Sequence, residues 1–142
     1  MIKIKFETPK HGWMPVKITH NDIEEYFDVS DVPVNPISQL EDVLDSAITG
    51  GGGEVWWHLE PAGYYLNIYA EKENYRIKLE YSINSMSETR ELVFEYSGKF
   101  EETVIPIWRS LRNLQSRNWK EFAVSEKTIE SITKQVKAKK KG

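Results

Sequence analysis

The chain contains no cysteine. Disulfides, thiolate nucleophiles and cysteine-ligated zinc or iron–sulfur centres are therefore excluded. The absence fits a reducing compartment. Long hydrophobic runs are missing too: nothing approaches the ~18 apolar residues that a membrane-spanning helix needs. The N-terminal residues Met1-Ile2-Lys3-Ile4-Lys5-Phe6-Glu7 alternate charge with apolar side chains, where a signal peptide would carry an unbroken apolar stretch. The expected address is cytoplasmic.

The third absence is of one charge sign. From Ile18 to Glu71 there is no lysine or arginine, and the same 54 residues hold 11 acids. The rest of the chain is +8, so a net charge of −3 conceals a strong polarity along the sequence. A one-signed field steers and selects an oppositely charged partner. The competing expectation is internal: the basic portion folds against the acidic one and cancels it. The last nine residues, Lys134 to Gly142, hold five lysines and no acid, and read as a frayed, solvated tail.

What is present describes one α+β domain over residues 1–133, followed by the tail at 134–142. With 142 residues the chain is long enough to bury one core. Ile2, Ile4 and Phe6, then Met14, Val16 and Ile18, then Ile23, Phe27 and Val29 alternate with polar residues as strands do. Asn35-Pro36 opens a helix, with Asn as N-cap and Pro at the first helical position. Its apolar stripe is Ile37, Leu40, Val43, Leu44, Ala47 and Ile48, and Glu41, Asp42 and Asp45 fall on the opposite side. Gly50 to Gly53 ends it.

A four-stranded antiparallel meander follows over 54–96. Its expected inward residues include Val55, Trp57, Leu59, Leu66, Ile68, Ile77, Leu79, Ile83, Leu92 and Phe94. Two helices close the chain, the first disturbed by Pro106, so that it either begins there or kinks. The expected architecture is an antiparallel sheet, the meander plus the N-terminal strands, with about three helices on one face.

No catalytic constellation emerges, and no cofactor is implied. His58 and Glu60 share a strand face, but a zinc or iron site needs three or four converging ligands. The glycine run follows its helix, whereas a phosphate cradle needs the helix after the glycines. Nucleic acid is disfavoured because the body without its lysine tail is acidic.

The outward face of the meander is the most informative feature. It holds Trp56, His58, Glu60, Tyr65, Tyr69 and Arg76, and Trp, Tyr and Arg are the residues of interface hot spots. If Pro61-Ala62 is a two-residue turn, His58 lies opposite Tyr65 and Trp56 opposite Asn67. The face is either an exposed patch or a second small core under another element.

The leading expectation is a protein-binding module using these aromatic residues together with an acidic surface, made by the Asn21–Asp31 segment and by Glu41, Asp42 and Asp45 on the polar face of the helix, toward a basic partner. The alternatives are a small-ligand binder or hydrolase with a pocket near His58, and a subunit of a larger assembly, homo-oligomeric or otherwise. The line Trp57-His58-Leu59-Glu60-Pro61-x-x-Tyr64-x-Leu66-x-Ile68, then Ile77-x-Leu79-x-Tyr81 and an apolar helix, resembles small bacterial α+β proteins similar to the immunity proteins of polymorphic toxins. That resemblance spans roughly residues 13–115. It implies a cytoplasmic bacterial protein that neutralises a toxin by binding it, without catalysis, and it carries no site residues over.

Overall fold

The alternating segments fold as two antiparallel sheets in the computed structural model, which describes residues 1–141 and side chains as far as Lys139. Strands β1 (Ile2–Phe6), β2 (Trp13–His20) and β3 (Ile23–Ser30) form the first, in that order. Helix α1 (Pro36–Ile48) follows, then β4 (Gly52–His58), β5 (Gly63–Glu71), β6 (Asn74–Ser82) and β7 (Glu91–Gly98), a second sheet in chain order. Helices α2 (Phe100–Arg117) and α3 (Glu126–Lys141) complete an α+β fold. The N-terminal strands thus make their own three-stranded sheet and do not extend the meander.

One buried cluster joins all of these layers. Ile2, Ile4, Phe6, Met14, Val16 and Ile18 meet Trp57, Leu66, Ile77 and Leu79 from the meander and Leu40, Leu44, Val104, Ile107 and Leu111 from the helices. Aromatic contacts mark the seam between the sheets. Phe27 of β3 stacks on Tyr64 of β5 with ring centroids 4.4 Å apart, and His20 of β2 stacks on Tyr96 of β7 at 4.2 Å. Tyr64 adds a hydrogen bond from its hydroxyl to Glu25 at 2.7 Å.

Asn35 caps α1 as expected, its side-chain oxygen accepting from the Ile37 and Ser38 N–H groups at 3.0 and 3.4 Å. Helix α2 begins at Phe100 and continues past Pro106 to Arg117. Pro106 has no N–H to give the carbonyl four residues back, at Glu102. That carbonyl instead accepts the Tyr96 hydroxyl at 2.8 Å. The helix therefore neither starts at the proline nor leaves the orphaned group bare.

The lysine-rich segment from Lys134 continues α3 as far as Lys141, because Ile129, Ile132 and Val136 hold helical spacing and are buried. Gly142 lies outside the described residues. No helix among these residues is long and apolar enough to cross a membrane.

Three details of the meander differ from the expectation, one being Ile83, expected inward but 79% exposed because β6 ends at Ser82. The β4–β5 turn is four residues, Leu59–Ala62, closed by a hydrogen bond from the Leu59 N–H to the Ala62 carbonyl at 2.8 Å. Trp56 is therefore opposite Tyr65, and Glu54 opposite Asn67, a register two residues away from that of a tight turn. A shift of two preserves the faces, so Trp57 stays inward. The third difference is Leu92, expected inward but 58% exposed. A register irregularity at Leu79/Glu80 pairs Leu79 with Phe94 and Glu80 with Leu92, so Val93 is the extra residue and Leu92 turns outward.

Candidate functional site

The outer face of the second sheet is a grid of cross-strand rows. One row runs Trp56, Tyr65, Glu80, Leu92 across β4 to β7. The next is Glu54, Asn67, Lys78, Glu95, and the third is Gly52, Tyr69, Arg76, Ser97. Among the described residues, the side-chain hydrogen bonds and ion pairs of this face run within it, to the flanking Glu71 and to the 83–90 loop. At the β4 edge, the Trp56 N–H donates to Gln39 of α1 at 2.7 Å.

Arg90, at the end of that loop, organises the face. Its guanidinium lies over the Tyr65 ring, 3.5 Å from the centroid, and grips both carboxylate oxygens of Glu54 at 2.7 and 3.2 Å. Glu80 stands 3.5 Å from the same group. Such a fork-shaped pairing fixes orientation as well as charge. Ser85 supplies the second anchor: its hydroxyl accepts from the Trp56 indole N–H at 3.3 Å and its carbonyl from the Tyr65 hydroxyl at 3.0 Å.

Gly63, beside them, is a glycine for a spatial reason. A Cβ there would stand 2.4 Å from the Ser85 hydroxyl and 3.0 Å from the Trp56 indole nitrogen. A matching clamp joins the third row to the second, Arg76 on the flanking Glu71 at 2.7 and 3.2 Å and on Glu95 at 3.1 Å.

Apolar groups rim this polar lattice. Ile83, Met86, Leu92 and Tyr69 are among the most exposed large hydrophobic residues of the molecule. The rim and the aromatic row combine rigid aromatic anchors, arginines and adaptable methionine, a composition suited to protein contact.

The expected site residues are brought together only in part. Trp56, Tyr65, Tyr69 and Arg76 share the outer face; Trp56 is half-buried, and Tyr65 is shielded by Arg90 and the loop. His58 caps the edge, its ring set edge-on against Trp56 at 4.6 Å. Glu60 sits exposed in the turn, off the lattice. Three grooves, of about 380, 430 and 390 Å³, do not include His58, and the second touches the outer face only at its margin, at Ser97 and Glu71. No group of three or more potential metal-ligating side chains occurs among the described residues.

Glu41, Asp42 and Asp45 do not join this face. Glu41, expected on the polar side of α1, is 1% exposed and accepts the Ser125 N–H at 2.9 Å just before α3. The packing of the chain around Ser125 and α3 buries what would be a solvent-facing side on an isolated helix. Burial pushes its carboxyl up to about 7, opposed by the Ser125 hydrogen bond and reinforced by Asp42. Asp45 is half-buried and accepts from Gln135 of α3 at 2.7 Å, while Asp42 remains exposed.

The acidic stretch is also partly cancelled by the basic remainder, through Lys17–Glu24, Arg76–Glu71 and Arg90–Glu54. Asp22, Asp28, Asp31, Asp42 and Glu60 make no ion pair among the described residues.

The sequence reading missed Arg90 and Ser85. Arg90 reaches Glu54 across 36 positions of chain, and no local pattern marks it. Leu92 was visible as an apolar strand residue but its face depended on the bulge.

No family model and no curated protein matches the chain. Among solved structures it is similar to a chain of the "CdiA-CT/CdiI toxin and immunity complex from Enterobacter cloacae", at 16% identity and a TM-score of 0.46, covering 80% of this chain and 99% of that one. What this surface can bind follows from its own residues.

Proposed function

We propose that this chain is a protein-binding module that acts without catalysis and docks its partner on the outer face of the β4–β7 sheet. The observation that carries this reading is the Arg90 lattice. Two carboxylates, a tyrosine ring and a tryptophan are locked in place on a face with an exposed apolar rim, and the 83–90 loop is laid across it. Side chains held before binding lose little rotamer freedom on docking, which favours affinity. Asp22, Asp28, Asp31 and Asp42, which make no ion pair among the described residues, would steer a partner bearing basic residues. Binding that neutralises a toxin is the form of this role that the strand-pattern resemblance implies.

The test is affinity capture from native lysate at low and at high salt. A basic protein retained at low salt and weakened as salt rises supports steered docking. Retention unchanged by salt removes the acidic steering, and retention of nothing at either salt removes the proposal.

A further inference from the structure

The first sheet leaves an open edge at β1. In the order β1-β2-β3, β1 has a partner on one side only. The Glu7 N–H bonds the Pro15 carbonyl at 3.0 Å, which fixes the parity of this ladder. With Lys5 opposite Lys17 and Lys3 opposite Thr19, the odd-numbered residues turn their main-chain groups toward β2. Ile2, Ile4 and Phe6 then turn theirs to the open edge. The Ile2 N–H is taken by the Tyr96 hydroxyl at 2.9 Å. No strand lies beside that edge, and no turn, loop or side-chain hydrogen bond among the described residues engages the N–H or C=O of Ile4 or Phe6.

These unpaired groups border a groove of about 380 Å³ between β1 and α2. Its floor includes the buried Pro106 and Ser110, and its rim carries the exposed Arg109, Asn113 and Arg117. Lys3 and Lys5 add two more exposed cations, and no acid lines the groove. Four cations thus converge on an open strand edge in a protein whose net charge is −3. Two copies of β1 paired edge to edge would set lysine against lysine, which disfavours self-pairing.

We infer that β1 accepts an extended acidic segment of a partner protein as an added strand. Main-chain hydrogen bonds to Ile4 and Phe6 would supply affinity, and Lys3, Lys5, Arg109 and Arg117 would supply selectivity for carboxylates. The site is independent of the β4–β7 face, and either can fail alone.

The probe is a blocked heptapeptide of alternating Glu and Val, with a Lys–Val peptide as control, titrated into the ¹⁵N-labelled full chain. In the free protein the Ile4 and Phe6 amides should exchange at least tenfold faster than those of Lys3 and Lys5, as unpaired edge groups do. The acidic peptide should shift and protect the Ile4 and Phe6 amides, and the basic peptide should not. Arg109→Glu combined with Arg117→Glu alters exposed side chains only and should weaken the acidic peptide about tenfold. Slow exchange at Ile4 and Phe6 in the free protein overturns the inference. So does the absence of shifts there at millimolar peptide, equal binding of both peptides, or a self-association of the chain that protects the same amides.

Discussion

Arg90 lies over the ring of Tyr65 at 3.5 Å while holding Glu54 with both arms. The guanidinium satisfies a carboxylate and covers an aromatic surface at once, so the outer face is charged and ordered in the absence of a partner. A lysine can carry the charge but not the planar fork or the stacking. Arg90→Lys should therefore lose about 1 kcal/mol of stability, the discounted value for a partly exposed cation–π contact and ion pair. Denaturant unfolding checks this, and an unchanged midpoint would mean the lattice is not held by Arg90.

Trp56 and Trp57 are adjacent in the chain and opposite in role. Trp57 has 0% exposure and lies 6.0 Å from Phe27 and 6.5 Å from Phe6 by ring centroids. Trp57→Ala should cost about 3–5 kcal/mol as a core deletion. Trp56→Ala removes a half-buried ring from the outer face and should cost about 1 kcal/mol. Equal losses in thermal or chemical unfolding would contradict the face assignment.

Glu41 makes stability depend on pH in an unusual direction. Its folded carboxyl titrates near 7, above the ordinary value of 4.5, chiefly because it is buried. Below about 4.5 both states hold the proton and nothing is lost. As pH rises from there toward 7 the unfolded chain releases its proton first, so stability falls, and above 7 the loss is complete. The loss is at most about 3 kcal/mol. Glu41→Gln keeps an acceptor for the Ser125 N–H and should be more stable than wild type at pH 8 while matching it near pH 4.5. Parallel unfolding curves for the two proteins across that range would refute this account of Glu41.

The Tyr96 hydroxyl serves two main-chain groups, donating to the Glu102 carbonyl at 2.8 Å and accepting from the Ile2 N–H at 2.9 Å. Tyr96→Phe leaves both without a partner. Its expected cost is about 1–3 kcal/mol, with faster amide exchange at Ile2. A loss below a few tenths of a kcal/mol would mean that water replaces the hydroxyl freely.

The strand pattern made the meander, its buried face and the first helix legible, because alternation and capping are local properties. Trp57, Leu66 and Ile77 fall inward for that reason alone. What local pattern cannot carry is the geometry between segments. The Trp56–Tyr65 register depended on a four-residue turn, and the outward Leu92 on a one-residue bulge. The burial of Glu41 depended on the chain near Ser125, 84 positions away. The polarity of the charge was plain in the sequence, but its partial cancellation by Lys17, Arg76 and Arg90 became visible only with the strands in register.

The docking claim for the β4–β7 face is tested most directly by capturing partners with three proteins in parallel: wild type, Met86→Glu combined with Leu92→Glu, and Asp28→Asn combined with Asp42→Asn. All four positions are exposed, so the variants should fold as wild type does. The predicted result is a partner retained by wild type, lost from the rim variant and bound more slowly but still retained by the charge variant. Undiminished retention by the rim variant would contradict the assignment of this face.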